Sequence, residues 1–271
     1  VVNIVAIHGL DGHPMKSWTT VNDMLWLWDL LSEKIPCAHI LTYGYDAYTQ
    51  GREQLADESV YAIAQKLLAD LATDRDGSNT QQRPIIFVAH SLGGIVLKKM
   101  YALIHADRNE YAPYKAVECS TYGIIFLGTP HQGSAAVDLA ALILQILSIG
   151  FDTSDNILHY LALHGKALQQ QQDQYNQISL RYATKCYYEM YPTKLPLGKR
   201  MKLVDCPSAI LLESINSQSI ALNRDHVNIC KFHDHTEPDF KTVVSHLCKM
   251  VEDSPSKIRE TWERHEQLQG L

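Results

Sequence analysis

The chain has 271 residues, 46% of them hydrophobic, and 24 basic against 30 acidic side chains give a net charge of −6. That length and apolar content suit one large α/β domain, or two small ones, around a substantial core. The mild acidity leaves no electrostatic footprint for nucleic acid, and no GxxxxGK loop is present to cradle a nucleotide phosphate.

Six cysteines (Cys37, Cys119, Cys186, Cys206, Cys230, Cys248) are scattered without a CxxC pair. This pattern reads as reduced core thiols, not a disulfide framework. No Asn-x-Ser/Thr acceptor occurs, which together with the cysteines favours a cytoplasmic location. The most apolar stretch, Leu139 to Ile149, is about half of what a bilayer span requires. The chain opens at Val1 inside an apolar run and is read as part of a longer protein, so a targeting segment would lie outside it.

Val1–Ile7 reads as a buried strand, followed by a loop at His8-Gly9-Leu10-Asp11-Gly12-His13-Pro14. Met24–Leu31 reads as a short helix and His39–Tyr43 as a strand closed by Gly44. Leu55–Leu71 has helical apolar spacing and runs into a polar linker, Asp74–Arg83. Pro84–Val88 and Tyr122–Leu127 are buried strands, the second followed by Gly128-Thr129-Pro130-His131-Gln132-Gly133-Ser134. Residues 135–183 look helical and interrupt this rhythm. They read either as a cap over a site or as a plain crossover helix pair. The section around Leu142, Leu144, Ile146 and Leu147 leaves almost no polar face, so it must be covered or must meet an apolar ligand. Lys185–Tyr191 and Ser208–Glu213 read as strands, and Phe240–Val251 as a closing helix. Beyond Asp253-Ser254-Pro255, residues 254–271 read as a charged helical tail or linker. Strands alternating with helices predict a mostly parallel sheet with helices on both faces, spanning residues 1–253.

The stretch Ile85-Ile86-Phe87-Val88-Ala89-His90-Ser91-Leu92-Gly93-Gly94 carries the most chemistry. An apolar strand ends at a serine and a helix-like run follows, as in a nucleophile elbow. The turn strains the serine and admits only small residues two positions either side, here Ala89 and Gly93. It also places Ser91 near a helix N-terminus, which favours developing negative charge.

A serine hydroxyl needs a base, an orienting acid and an oxyanion hole. In this fold the order is serine, acid, histidine. His226 lies in a polar loop before the last helix; His233 and His235 are loop competitors, and His246 falls inside a helical pattern. Two acids compete for the orienting role, Glu189 near the end of a strand and Asp205 in the loop after it. Strand-end placement favours Glu189. Asp225, adjacent to His226, reads as loop-shaping. The oxyanion hole would use the N–H of Leu92, after the nucleophile, and that of Leu10, in the loop after the first strand. His8 and His131 read as structural. His233-Asp234-His235 is a weak metal signal, so no metal and no cofactor is expected.

Five motifs occur in order: Val5-Ala6-Ile7-His8-Gly9-Leu10, Leu41-Thr42-Tyr43-Gly44-Tyr45-Asp46, Val88-Ala89-His90-Ser91-Leu92-Gly93-Gly94, Ile125-Phe126-Leu127-Gly128-Thr129-Pro130-His131-Gln132-Gly133-Ser134 and Asp225-His226-Val227-Asn228-Ile229-Cys230-Lys231-Phe232. Together they resemble serine-esterase domains of the GPI-inositol-deacylase-like group, most of all the α/β-hydrolase domains at the N-termini of fungal NOD-like receptors. The resemblance implies Ser91 as nucleophile, His226 as base and, through Tyr187-Tyr188-Glu189, Glu189 as acid. It also implies a downstream nucleotide-binding oligomerisation domain. Trp28 departs from the pattern, where a basic residue is expected before Asp29.

The expected activity is hydrolysis of carboxylic esters, lipid or acyl esters among them, through an acyl-enzyme. The alternative is an assembly-gated effector module in which oligomerisation controls or replaces hydrolysis. Expected partners are an ester or lipid substrate, a membrane surface and a second copy of the chain.

Overall fold

The structure, a computed structural model, describes residues 1–9, 12–45, 57–106, 111–131, 173–194, 198, 200–204 and 217–269. Six parallel strands form one sheet in the order β2-β1-β3-β4-β5-β8, with β1 Val2–Ile7, β2 Ala38–Tyr43, β3 Ile85–His90, β4 Thr121–Leu127, β5 Ala183–Glu189 and β8 Ser217–Leu222. The small strands β6 Thr193–Lys194 and β7 Arg200–Met201 pair antiparallel beside it. Strands covered on both faces must be apolar on both, and β1 is buried along its whole length.

Alternate side chains sort into two cores. Val5, Ile7, Phe87, Ala89, Ile124 and Phe126 face α3 Asp57–Gly77, α4 Leu92–Ala106 and the helical segment 173–179, which contributes Tyr175 and Ile178. Ile4, Ala6, Val88, Ile125, Leu127 and Tyr187 face Trp18, the short helices α1 Trp26–Asp29 and α2 Leu31–Lys34, and the last helix α6 Pro238–Gln269. The result is a three-layer α/β/α domain, as the alternation predicts.

Several expected elements differ from those observed. α3 continues through Asp74 to Gly77, because Arg75 folds inward and donates to the carbonyls of Gln81 and Arg83 at 2.6 and 2.7 Å. The helix α5 Ala112–Ser120 was not anticipated; Pro113 in its first turn is the signal for its start. The strand before the histidine loop is Ser217–Leu222, whereas Ser208–Glu213 lies outside the described residues. Its Ser217-Gln218-Ser219 lacks an apolar run because β8 is an edge strand with one half-exposed face.

The last helix does not stop at Pro255. A proline cannot donate to the carbonyl four residues back, here that of Val251. Ser254 Oγ donates to that carbonyl instead, at 3.1 Å. Beyond the proline, Ile258 is buried and Trp262 Nε1 donates to Ser120 Oγ at 3.0 Å. Of the expected insertion, only 173–183 is described; Leu142, Leu144, Ile146 and Leu147 lie outside.

Candidate active site

The chain runs outward from β1 to β2, then returns across β1 to β3 and continues the other way. Ligands of such sheets bind where the strand order reverses, at the carboxyl ends of the strands. Ser91 follows β3 at that point. Its φ is 51°, a left-handed conformation costing about 1 kcal/mol or more in a non-glycine residue. Three contacts impose it: Ser91 N–H donates to Leu127 O at 3.0 Å, Gly94 N–H to Ser91 O at 3.0 Å, and Thr129 Oγ1 to Ser91 O at 3.2 Å. The start of α4 packs so closely on the end of β1 that a Cβ at Gly93 would lie 2.5 Å from the carbonyl oxygens of Ile7 and His8.

His226 is brought to Ser91 across 135 positions of sequence, with Nε2 at 2.9 Å from Oγ. Its Nδ1 faces Glu189 Oε2 at 3.4 Å. All three residues are buried. The other carboxylate oxygen, Oε1, accepts the N–H groups of Leu203 and Val204 at 2.5 and 2.6 Å. Those amides fix the carboxylate as an acceptor aimed at the imidazole. The β6–β7 excursion that delivers them also supplies Thr193 Oγ1, which accepts His226 N–H at 2.9 Å. Glu189 thus stands at the histidine; Asp205, the other candidate acid, lies outside the described residues.

The histidine loop is held firmly. Asp225 Oδ1 accepts the N–H of Asn228 at 2.9 Å, the loop-shaping role its position suggests. Arg224 pairs with Glu237 and lies over the Phe232 ring at 4.9 Å. The competing histidines make other contacts. His235 pairs with Glu33, His233 N–H donates to Glu237, and His246 bonds Tyr187 OH. Among the described residues no group of three metal-ligating side chains occurs.

On the β1 side, Nδ1–H of His8 donates to Gly9 O at 2.8 Å, Nε2 faces Tyr45 N–H at 3.4 Å, and the ring stacks on Tyr45 at 4.3 Å. Burial lowers its pKa, keeping it neutral in this bracing role. His131 is likewise buried, its ring edge-on to Phe126 at 4.6 Å. Leu92 heads α4, whose first-turn amides have no intrahelical acceptor; Leu10 lies outside the described residues. Beneath the elbow, Lys98 Nζ donates to Pro130 O at 3.0 Å, and burial pushes its pKa down to about 7. Thr193, Leu203, Val204 and Lys98 escape sequence reasoning. Three of them act through backbone or backbone-facing contacts that depend on a hairpin, and Lys98 reads as an ordinary helix-surface cation.

A parallel sheet in this strand order, passing into a helix through a left-handed serine with a histidine on its hydroxyl, places the protein in the α/β-hydrolase class. The chain belongs to the family described as "Putative serine esterase (DUF676)", which matches residues 3–191. It is 25% identical over 251 residues to Protein SERAC1 of Bos taurus and 24% identical over 250 residues to that of Homo sapiens. Both matches cover 84% of this chain and 36% of the relative, so the chain spans about a third of their length. Among solved structures, the mature form of Bacillus licheniformis lipase BlEst2 is similar over 90% of this chain and 91% of its own, at 21% identity and a TM-score of 0.55. That likeness is one of fold.

Proposed function

We propose that the chain hydrolyses carboxylic esters, lipid or acyl esters in particular, through a Ser91–His226–Glu189 triad. The observation that carries this reading is the 2.9 Å approach of His226 Nε2 to the hydroxyl of a serine held at φ 51°. Ser91 Oγ attacks the ester carbonyl as its proton passes to His226 Nε2. Glu189 faces Nδ1–H and offsets the positive charge that forms on the ring. Its 3.4 Å separation is of the kind that tightens when substrate binds. The tetrahedral oxyanion is met by the N–H groups of Leu92 and Leu10. Collapse releases the alcohol, which takes the proton from His226. Water, deprotonated by the same imidazole, then attacks the acyl-enzyme and frees the acid and Ser91. None of these steps calls for a metal or cofactor.

Leu142, Leu144, Ile146 and Leu147 are proposed to line the acyl site. Membrane-surface contact, self-association and a following nucleotide-binding domain are further parts of this reading, the last two from the resemblance to fungal receptor domains, with a cytoplasmic setting read from the scattered cysteines and absent glycosylation acceptors. Hydrolysis of a graded series of acyl esters, thioesters and phospholipids by wild type and Ser91→Ala tests the activity. Turnover of at least one ester series, absent in the variant, supports it; turnover retained by the variant contradicts it.

A further inference from the structure

The triad scheme makes no use of His90, the residue before Ser91. Its Nε2 lies 3.0 Å from the main-chain oxygen of His226, and the two rings are tilted at 43° with centroids 5.3 Å apart. Its Nδ1 faces the end of β1, where a Cβ added at Gly9 would come within 3.0 Å of that nitrogen and 2.9 Å of Ser91 Cβ. The ring is thus wedged between the loop after β1 and the loop after β8. Burial and the neighbouring His226 push its pKa down to about 3. At neutral pH it therefore carries a single N–H, and a carbonyl can only accept, so the hydrogen sits on Nε2. A neutral ring also adds no second cation beside the imidazolium that the reaction forms on His226.

Arg224 of the histidine loop pairs with Glu237, and further bonds of the loop run to the β5 side. Met190 N–H donates to Leu222 O, Tyr191 N–H to Arg224 O, and His226 N–H to Thr193 Oγ1. Two strands, β4 and β5, separate β3 from β8 in the sheet. Those anchors hold the loop beside Glu189 and do not touch β3, whereas the His90 bond joins the loop directly to the strand that carries Ser91.

We propose that His90 is a positioning residue, whose Nε2–H bond to the His226 carbonyl ties the loop carrying the base to the strand carrying the nucleophile and sets the Ser91 Oγ–His226 Nε2 distance. The proposal rests on the serine-hydrolase reading above. Three variants separate it from a packing role. His90→Leu keeps roughly the volume and removes the donor. His90→Gln places an amide N–H near the Nε2 position, whereas His90→Asn, one methylene shorter, reaches only the Nδ1 position.

The test measures kcat and KM on an ester turned over by the wild type, beside the imidazole nitrogen NMR signals of His226. We expect His90→Leu and His90→Asn to lose about tenfold or more in kcat with KM within about twofold, the scale of one mispositioned hydrogen bond. His90→Gln should stay within about threefold of wild type, and the His226 signals should move in the Leu and Asn variants only. Equal kcat in the Gln and Asn variants, both folded by circular dichroism, overturns the proposal even if the Leu variant does not fold. If the wild type turns over no ester, the hydrolase reading fails on its own, and the NMR signals still decide whether His90 places His226. Unmoved signals in the Asn variant would refute that.

Discussion

Ser91 and Gly93 make opposite demands on the backbone within one turn. The serine accepts a left-handed conformation, and the glycine lets α4 rest on the carbonyls of Ile7 and His8. Gly93→Ala should cost about 3 kcal/mol or more, read as a lower urea midpoint, since neither carbonyl is a flexible side chain that can move aside. An unchanged midpoint would mean that the β1–α4 approach is looser than described. Glu189→Gln keeps an acceptor for Leu203 and Val204 but gives up the charge facing His226. We expect kcat to fall by about 10³- to 10⁴-fold, the scale seen when a triad acid is neutralised. Asp205→Asn should leave kcat within about threefold; a larger loss there than at Glu189 would reassign the acid. The left-handed turn at Ser91 was legible because an elbow needs small residues at fixed offsets, which a sequence displays. Chain order left His226 beside His233 and His235, and the resemblance pointed to His226, the histidine found at Ser91. Glu189 and Asp205 stayed open because the partners that hold Glu189, the backbone amides of Leu203 and Val204, are brought in by a strand pairing that leaves no trace in residue type.

At the scale of elements, one buried carboxylate ties three pieces together. Glu118 in α5 meets His105 of α4 at 3.0 Å, Lys115 at 2.8 Å and Arg181, just before β5, at 2.7 Å. Burial alone would raise its pKa, but the hydrogen bonds and charges of His105 and Lys115 outweigh it and bring the value down to about 2. A carboxyl whose pKa is lower folded than unfolded stabilises above its ordinary value and loses that contribution as pH falls through the folded one. The contribution is thus complete above 4.5 and lost toward about 2. Glu118→Gln should destabilise by about 2 kcal/mol at pH 7, with the difference from wild type shrinking across that acid window. A difference that does not change with pH would show that packing, not charge, holds the junction.

The last helix makes the second test at this scale. Ile258 is 4% exposed beyond a proline that sequence reasoning takes as a stop. Ile258→Ala should cost about 2–3 kcal/mol; a loss below about 0.5 kcal/mol would mean that the segment does not pack on the body. The apolar strands were legible because both faces are covered. The edge strand β8 and the continuation through Pro255 were not. One is polar where it meets solvent, and the other rests on contacts that a proline signal hides, Ser254 on Val251 O, Ile258 in the core and Trp262 on Ser120.

At the scale of the molecule, the parallel order and its reversal beside β1 place Ser91, Glu189 and His226 at one end of the sheet, which is why residues so distant in sequence meet. No helix among the described residues is long and apolar enough to cross a membrane. If assembly gates the site, specific activity should rise with protein concentration alongside oligomers seen by light scattering; a fully active monomer would remove that part of the proposal. The most direct test of the central claim is labelling with a fluorophosphonate, wild type beside Ser91→Ala, with the adduct located by peptide mass. A single adduct on Ser91, and none in the variant, is the expected result. Labelling that persists in Ser91→Ala, or a folded wild type that never reacts, would contradict it.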